Sequence, residues 1–167
     1  MNTNYLSSRK IMDDILFKRY YNKDMGISFF YNSSLLPQND SSGSEDSNYS
    51  LNLRIKDLQF NIIKLSTEAN VGLKIFGLEK GLKSSLGDIE ILIEDEGTLS
   101  YEIDGNKTAQ ATTVYPTESG NIKIKRYLVS HDGQGYLLAF QNKVELFESE
   151  ETKEIFDTIL DTFKFLK

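Results

Sequence analysis

The stretch from Tyr136 to Phe140, "YLLAF", is apolar at five successive positions. A strand turns alternate side chains to opposite faces, so this run does not suit a sheet with one wet side. It marks a central strand with cover above and below, and so confines the chain to layered folds. The rest of the sequence supplies the layers.

Several segments alternate as neighbouring strands should. Ile122 to Ser130 reads as one strand, joined to Gly135–Gln141 by "HDGQG". Lys107 to Tyr115 reads as another, and its Ala109 and Ala111 share a face that lets a helix approach closely. Ile89, Ile91 and Ile93 alternate, "EDEG" follows as a turn, and Leu99, Tyr101 and Ile103 alternate before "DGN", which predicts a hairpin over 89–103. In the first half, Phe17 to Asn32 reads as two β segments about the turn "NKDMG". Leu51, Leu53 and Ile55 then change phase against Leu58, Phe60 and Ile62, which places a turn or bulge at Lys56 and Asp57.

Helical spacing occurs in three places. Ile11, Met12, Ile15 and Leu16 predict a short helix ahead of the domain, and Leu73, Phe76, Leu78, Leu82 and Leu86 predict a second, stopped at Gly87. Near the C-terminus, Ile155, Phe156, Ile159, Leu160 and Phe163 form one stripe, with Ser149 suited to the N-cap and Glu150 and Glu151 in the first turn. So apolar a stripe belongs in a core, and the "FKF" after it reads as a closing strand. The expected class is therefore α+β, an αβα sandwich with a central antiparallel β-sheet of about six to eight strands and helices on both faces. Residues 1–16 are expected as an N-terminal extension, and 17–167 as a single domain with a mobile polar loop at 33–50.

Composition excludes several function classes. The chain has no cysteine, which removes disulfides, thiolate metal ligands and a thiol nucleophile, and its one histidine, His131, leaves little for a zinc site. A formal charge of -6 repels phosphate backbones, so no nucleic acid is expected as a partner. Asp13 and Asp14 interrupt the first apolar run, and no window reaches the length of a membrane span. The default expectations are a monomer, no direct membrane insertion, and a cytoplasmic location, or an extracytoplasmic one if a leader was removed.

Candidate sites are few. Gly133–Gly135, "GQG", lies between two strands, whereas phosphate loops open a helix. Asp95 and Glu96 are adjacent and read as solvated turn charges. Ser130, His131 and Asp132 contain the residue types of a hydrolase triad, but neighbours in sequence cannot take up its geometry. The loop residues Asp40, Glu45 and Asp46 offer oxygen ligands without the spacing of an EF-hand. No catalytic, cofactor-binding or metal-binding residue is assigned, no cofactor is expected, and the partner-binding residues are unknown at this stage.

Three phrases carry a family likeness. "YYNKDMGISFFYN", "YEIDGNKTAQATTVY", and "GYLLAFQNKVELF" followed by "IFDTILDTFKFLK" are similar to the opening hairpin, the mid-chain strand pair and the closing strand, helix and strand of the PsbP-like family. Its relatives include a Ran-binding nuclear import factor and bacterial and archaeal proteins. The resemblance spans Tyr20 to Leu166 and implies an αβα sandwich that works by docking, without catalysis. The expectation is a non-enzymatic binding or accessory protein that docks onto a protein or membrane-associated assembly. The alternative is a small-ligand or calcium-binding protein that uses a sheet-edge pocket or the acidic loop.

Overall fold

The computed structural model describes residues 16–38, 49–65, 92–96 and 101–167. In chain order the elements are β1 (Phe17–Asn22), β2 (Ile27–Asn32), β3 (Leu36–Pro37), β4 (Ser50–Ile55), β5 (Leu58–Lys64), β6 (Leu92–Glu96), β7 (Glu102–Ile103), β8 (Asn106–Thr117), β9 (Gly120–His131), β10 (Gln134–Lys143), α1 (Val144–Phe147), α2 (Glu150–Thr162) and β11 (Lys164–Phe165). The class is α+β, as the periodicities imply.

The main sheet runs β3-β4-β5-β10-β9-β8-β6, antiparallel throughout, with β7 also pairing to β8. Strand β10 lies in the middle, between β5 and β9, where its two-faced apolar run is satisfied. Leu138 and Phe140 face the larger core, and Leu137 on the alternate face joins a smaller buried cluster with Ala109, Ala111 and Leu128. The two alanines thus lie in a buried layer, as their shared face suggested.

Local turn chemistry sets the register. Asp104 and Gly105 have φ of 46° and 75°, and Asp132 and Gly133 have 48° and 76°, so two-residue loops with the handedness of strand twist join β7 to β8 and β9 to β10. Lys56, at φ 53°, lies with Asp57 in the two-residue turn between β4 and β5, which accounts for the phase switch there.

A second, three-stranded sheet, β1-β2-β11, packs with α2 on the larger core. Phe29 meets Phe60 of the main sheet edge-on at 5.4 Å and stacks on Phe163 at 5.9 Å, while Phe156 of α2 meets Phe140 at 4.9 Å. Ile155, Phe156, Ile159 and Phe163 are all buried and Leu160 partly so, which makes the C-terminal stripe core. At the start of α2 the Ser149 hydroxyl accepts the Thr152 N–H at 3.3 Å, with Glu150 and Glu151 in the first turn. At its end the Thr162 hydroxyl accepts the Phe30 N–H at 2.8 Å, and the chain continues beside β2 with Lys164 opposite Ser28.

The structure departs from the sequence expectation in three places. The opening hairpin does not join the main sheet but forms a separate one with β11, because Ile27, Phe29 and Tyr31 bury their face against that sheet instead of extending it. The turn expected at "EDEG" does not begin at Glu94. Strand β6 runs through Glu94–Glu96 and pairs with β8 across an irregularity between Ile93 and Asp95, since the edge of the 12-residue β8 offers backbone partners that a turn would forgo. The segment assigned to a mobile loop over 33–50 is ordered at both ends: Leu35 is fully buried, β3 pairs with β4, and Ser50 begins β4. The buried Leu35 anchors the first of these ends.

The remaining expectations fall outside the described residues. These are the helix at 11–16, apart from Leu16, the middle of the polar loop at 39–48, and the helix at 73–87 with its placement on the second face of the sheet.

Candidate functional site

None of the candidates within the described residues assembles into a reactive group. His131 Nδ1 lies 3.2 Å from Asn106 Oδ1 and its Nε2 lies 3.3 Å from Asp132 Oδ2, while the ring stacks on Phe165 at 4.5 Å. Each ring nitrogen faces an oxygen acceptor, and strand alternation turns Ser130 to the opposite face. Gly133–Gly135 belongs to the β9–β10 connection and the start of β10. Asp95 and Glu96 are successive residues of β6, not turn charges. Asp40, Glu45 and Asp46 lie outside the described residues. Among the described residues, no three His, Cys, Asp or Glu side chains are grouped as metal ligands.

Two concave surfaces lie along the flanks of α2. Helical geometry places Glu151, Glu154, Thr158 and Asp161 on one flank, and Lys153, Phe156 and Leu160 on the other, with Asp157 on the ridge between.

On the first flank, a groove of about 370 Å³ is lined by Glu151, Glu154, Ile155, Asp157, Thr158 and Asp161 from the helix and by Phe17 and Asn32 from the small sheet. All four carboxylates are exposed, and none forms an ion pair among the described residues. Their field extends past the groove: the Tyr101 phenol is pushed above its usual value by burial first, and then by Asp161 and Asp157. Phe17 carries the surface on to the outer face of β1 and β2, where Tyr21 and Phe30 also stand in water. Phe30 is opposite Arg19, and the Arg19 guanidinium sits 5.2 Å from the centre of the Tyr21 ring.

On the second flank, a cavity of about 210 Å³ opens between α2, α1 and the main sheet. Its apolar walls are Tyr127, Phe140, Phe147, Phe156 and Leu160. Charge at its mouth is arranged unevenly. Glu148 bonds Lys153 at 3.3 Å and Lys123 at 3.4 Å, and its carboxyl is held below the usual range, chiefly by the Lys153 bond. Lys125 has no such partner among the described carboxylates, and its ammonium rests 5.4 Å from the centre of the Tyr127 ring.

No family model matches the sequence, and no curated protein matches it either. Among solved structures, cyanobacterial PsbP (CyanoP) from Synechocystis sp. PCC 6803 superposes with a TM-score of 0.61 at 14% identity, covering 89% of this chain and 92% of that one. The fold is PsbP-like. A mutant of the protein Mog1 superposes with a TM-score of 0.55 at 12% identity, covering 90% of this chain and 96% of its own. A Bacteroides thetaiotaomicron protein reaches the same 0.55 at 12% identity and covers 90% of this chain, but only 48% of its own length is matched. At such identities the likeness is one of fold, and function has to be argued from the sites.

Both flanks had signals in the sequence that periodicity alone does not rank. In "ISFFYN" the inward phase is Ile27, Phe29 and Tyr31, so Phe30 is an aromatic out of phase. In "IKIKRYLV" the lysines Lys123 and Lys125 share a phase with the core residues Tyr127 and Val129, and this shared phase places them on the covered side of the sheet.

Proposed function

We propose that the chain is a non-enzymatic binding domain that docks onto a protein component of a larger assembly, through the acidic flank of α2 and the outer face of β1 and β2. One observation carries this reading, the continuity of exposed aromatics with acids that form no ion pair among the described residues. Phe17, Tyr21 and Phe30 are 37, 56 and 44% exposed, and Phe17 is also a wall of the groove that holds Glu151, Glu154, Asp157 and Asp161. Aromatic residues with Arg are the side chains that interfaces concentrate, because they bury much area at little entropic cost. Four carboxylates beside them select a partner segment rich in Lys or Arg and steer its approach. The same charge disfavours direct contact with anionic lipid, so any membrane association runs through a protein. The family resemblance, which implies action by docking, supports the same reading.

Capture from native lysate tests it when variants are compared side by side. Phe17→Ser with Phe30→Ser removes the aromatic part, and Glu154→Lys with Asp161→Lys reverses part of the charge. Each pair is expected to abolish recovery of the same partner while the melting temperature stays within a few degrees, and recovery by the parent is expected to fall with added salt. Undiminished recovery by both pairs would place the docking face elsewhere.

A further inference from the structure

We propose that the cavity on the other flank of α2 binds a small carboxylate whose apolar body is about the size of a benzene ring. This site shares only the ridge residue Asp157 with the docking groove, and the argument for it does not depend on the docking reading. The argument starts from β9, whose core-facing residues are Val129 and Tyr127 and then, in the same phase, Lys125 and Lys123. A lysine on the covered face of a sheet needs an anion or water for its ammonium group. Lys123 and Lys153 share Glu148, but Lys125, directly opposite Phe140 of β10, has only the face of Tyr127 among the described groups.

The space beside Lys125 has a size and lining that limit the ligand. At about 210 Å³ it exceeds the roughly 150 Å³ of an apolar cavity that admits benzene, and it falls short of the 300 Å³ or more typical of drug-sized ligands. Phe140 and Phe156 meet edge-on at 4.9 Å, and Phe147 stands 5.8 Å from Phe156, so the three rings form one continuous aromatic wall against which a ligand ring can pack. Of the lining carboxylates, Glu148 is already engaged by two lysines, and Asp157 lies on the exposed ridge of the helix. The polar end of a ligand is therefore directed to Lys125 and its ring to the aromatic wall.

Titration of the full chain with phenylacetate, followed by amide chemical shifts, tests the assignment, with 2-phenylethanol as the neutral analogue and acetate as the charge alone. Saturable shifts are expected at Lys125, Phe147 and Leu160 with phenylacetate, and none with acetate at the same concentration. Lys125→Gln is expected to weaken phenylacetate by about tenfold or more, the scale of a lost charge-assisted hydrogen bond, and to leave 2-phenylethanol unchanged. Leu160→Trp, at a half-buried position that tolerates a larger side chain better than the core, fills the cavity and is expected to abolish binding of both. The proposal is overturned by an absence of saturable shifts at these residues, by equal shifts with acetate, or by phenylacetate affinity that survives both substitutions.

Discussion

Among the described glycines with positive φ, Gly26 alone is closely approached, by Tyr136. Gly26 closes the β1–β2 hairpin at φ 74°, and a Cβ added there would lie 3.2 Å from the Tyr136 hydroxyl. That hydroxyl cannot readily yield, because it donates to the Met25 carbonyl at 2.6 Å within the core. Gly26→Ala therefore carries two costs: about 1 to 2 kcal/mol for a left-handed non-glycine residue, and about 1 kcal/mol or more for the forced contact. Tyr136→Phe alone leaves the Met25 carbonyl without this donor, at a cost of about 1 to 3 kcal/mol. It also removes the atom the new methyl would strike. In the Tyr136→Phe background, Gly26→Ala should then cost only the backbone share, so the double variant is more stable than the sum of the singles by about 1 kcal/mol. Urea unfolding of the four proteins measures this coupling. Costs that add to within about 0.3 kcal/mol would refute the idea that the two residues meet through that hydroxyl.

Phe156→Ala removes a ring in contact with Phe140 and Phe147 and is expected to cost about 3 to 5 kcal/mol by the same urea measurement, whereas Asp157→Ala on the exposed ridge should cost about 0.5 kcal/mol or less. Asp104 accepts the Phe165 N–H at 2.9 Å and pairs with Lys164 at 3.2 Å, so Asp104→Ala should speed hydrogen exchange at the Phe165 amide several-fold while the Leu138 amide in the central strand changes far less. Burial pushes the Tyr136 phenol above its usual value, which favours the protonated form in the folded state. The resulting stability is complete below the unfolded phenol range and is lost as pH rises through the folded value, so the fall in stability from neutral to alkaline pH should be smaller in Tyr136→Phe than in the parent, each measured against its own neutral value, and an equal fall would contradict this.

What the sequence disclosed, and what it hid, follows from how locally each feature is determined. The turns at Lys56, Asp104–Gly105 and Asp132–Gly133 were legible because a reversal between alternating runs is a matter of a few neighbouring residues. The central place of β10 was legible because an apolar residue at every position has few other uses. Strand pairing is different, since the alternation of Ile27, Phe29 and Tyr31 states that one face is buried and not against which sheet. Thus the separate small sheet went unread, and β6 was assigned to its neighbour in sequence when its hydrogen bonds go to β8. The sites were less legible still. Glu151, Glu154 and Asp161 read as an ordinary solvated helix face until Phe17, distant in the chain, is placed beside them. Lys125 reads as an exposed alternate until the phase of β9 is fixed by its pairing to Phe140.

The small sheet also sets a timetable for the chain as it is made. Strand β2 is complete once residue 32 has emerged, but the Phe30 amide finds its partner on Thr162, 132 residues later. At a synthesis rate of about 5 to 20 residues per second, that interval lasts roughly 7 to 26 seconds. Throughout it, one edge of β2 is an open template for any other strand, and Ile27, Phe29 and Tyr31 lack the cover that β10 and α2 will bring. The β9–β10 hairpin needs only its own two-residue turn and can form as soon as it is released. The β2 edge is therefore where two growing copies would exchange tails. A chain cut before Lys164 would keep that edge open permanently.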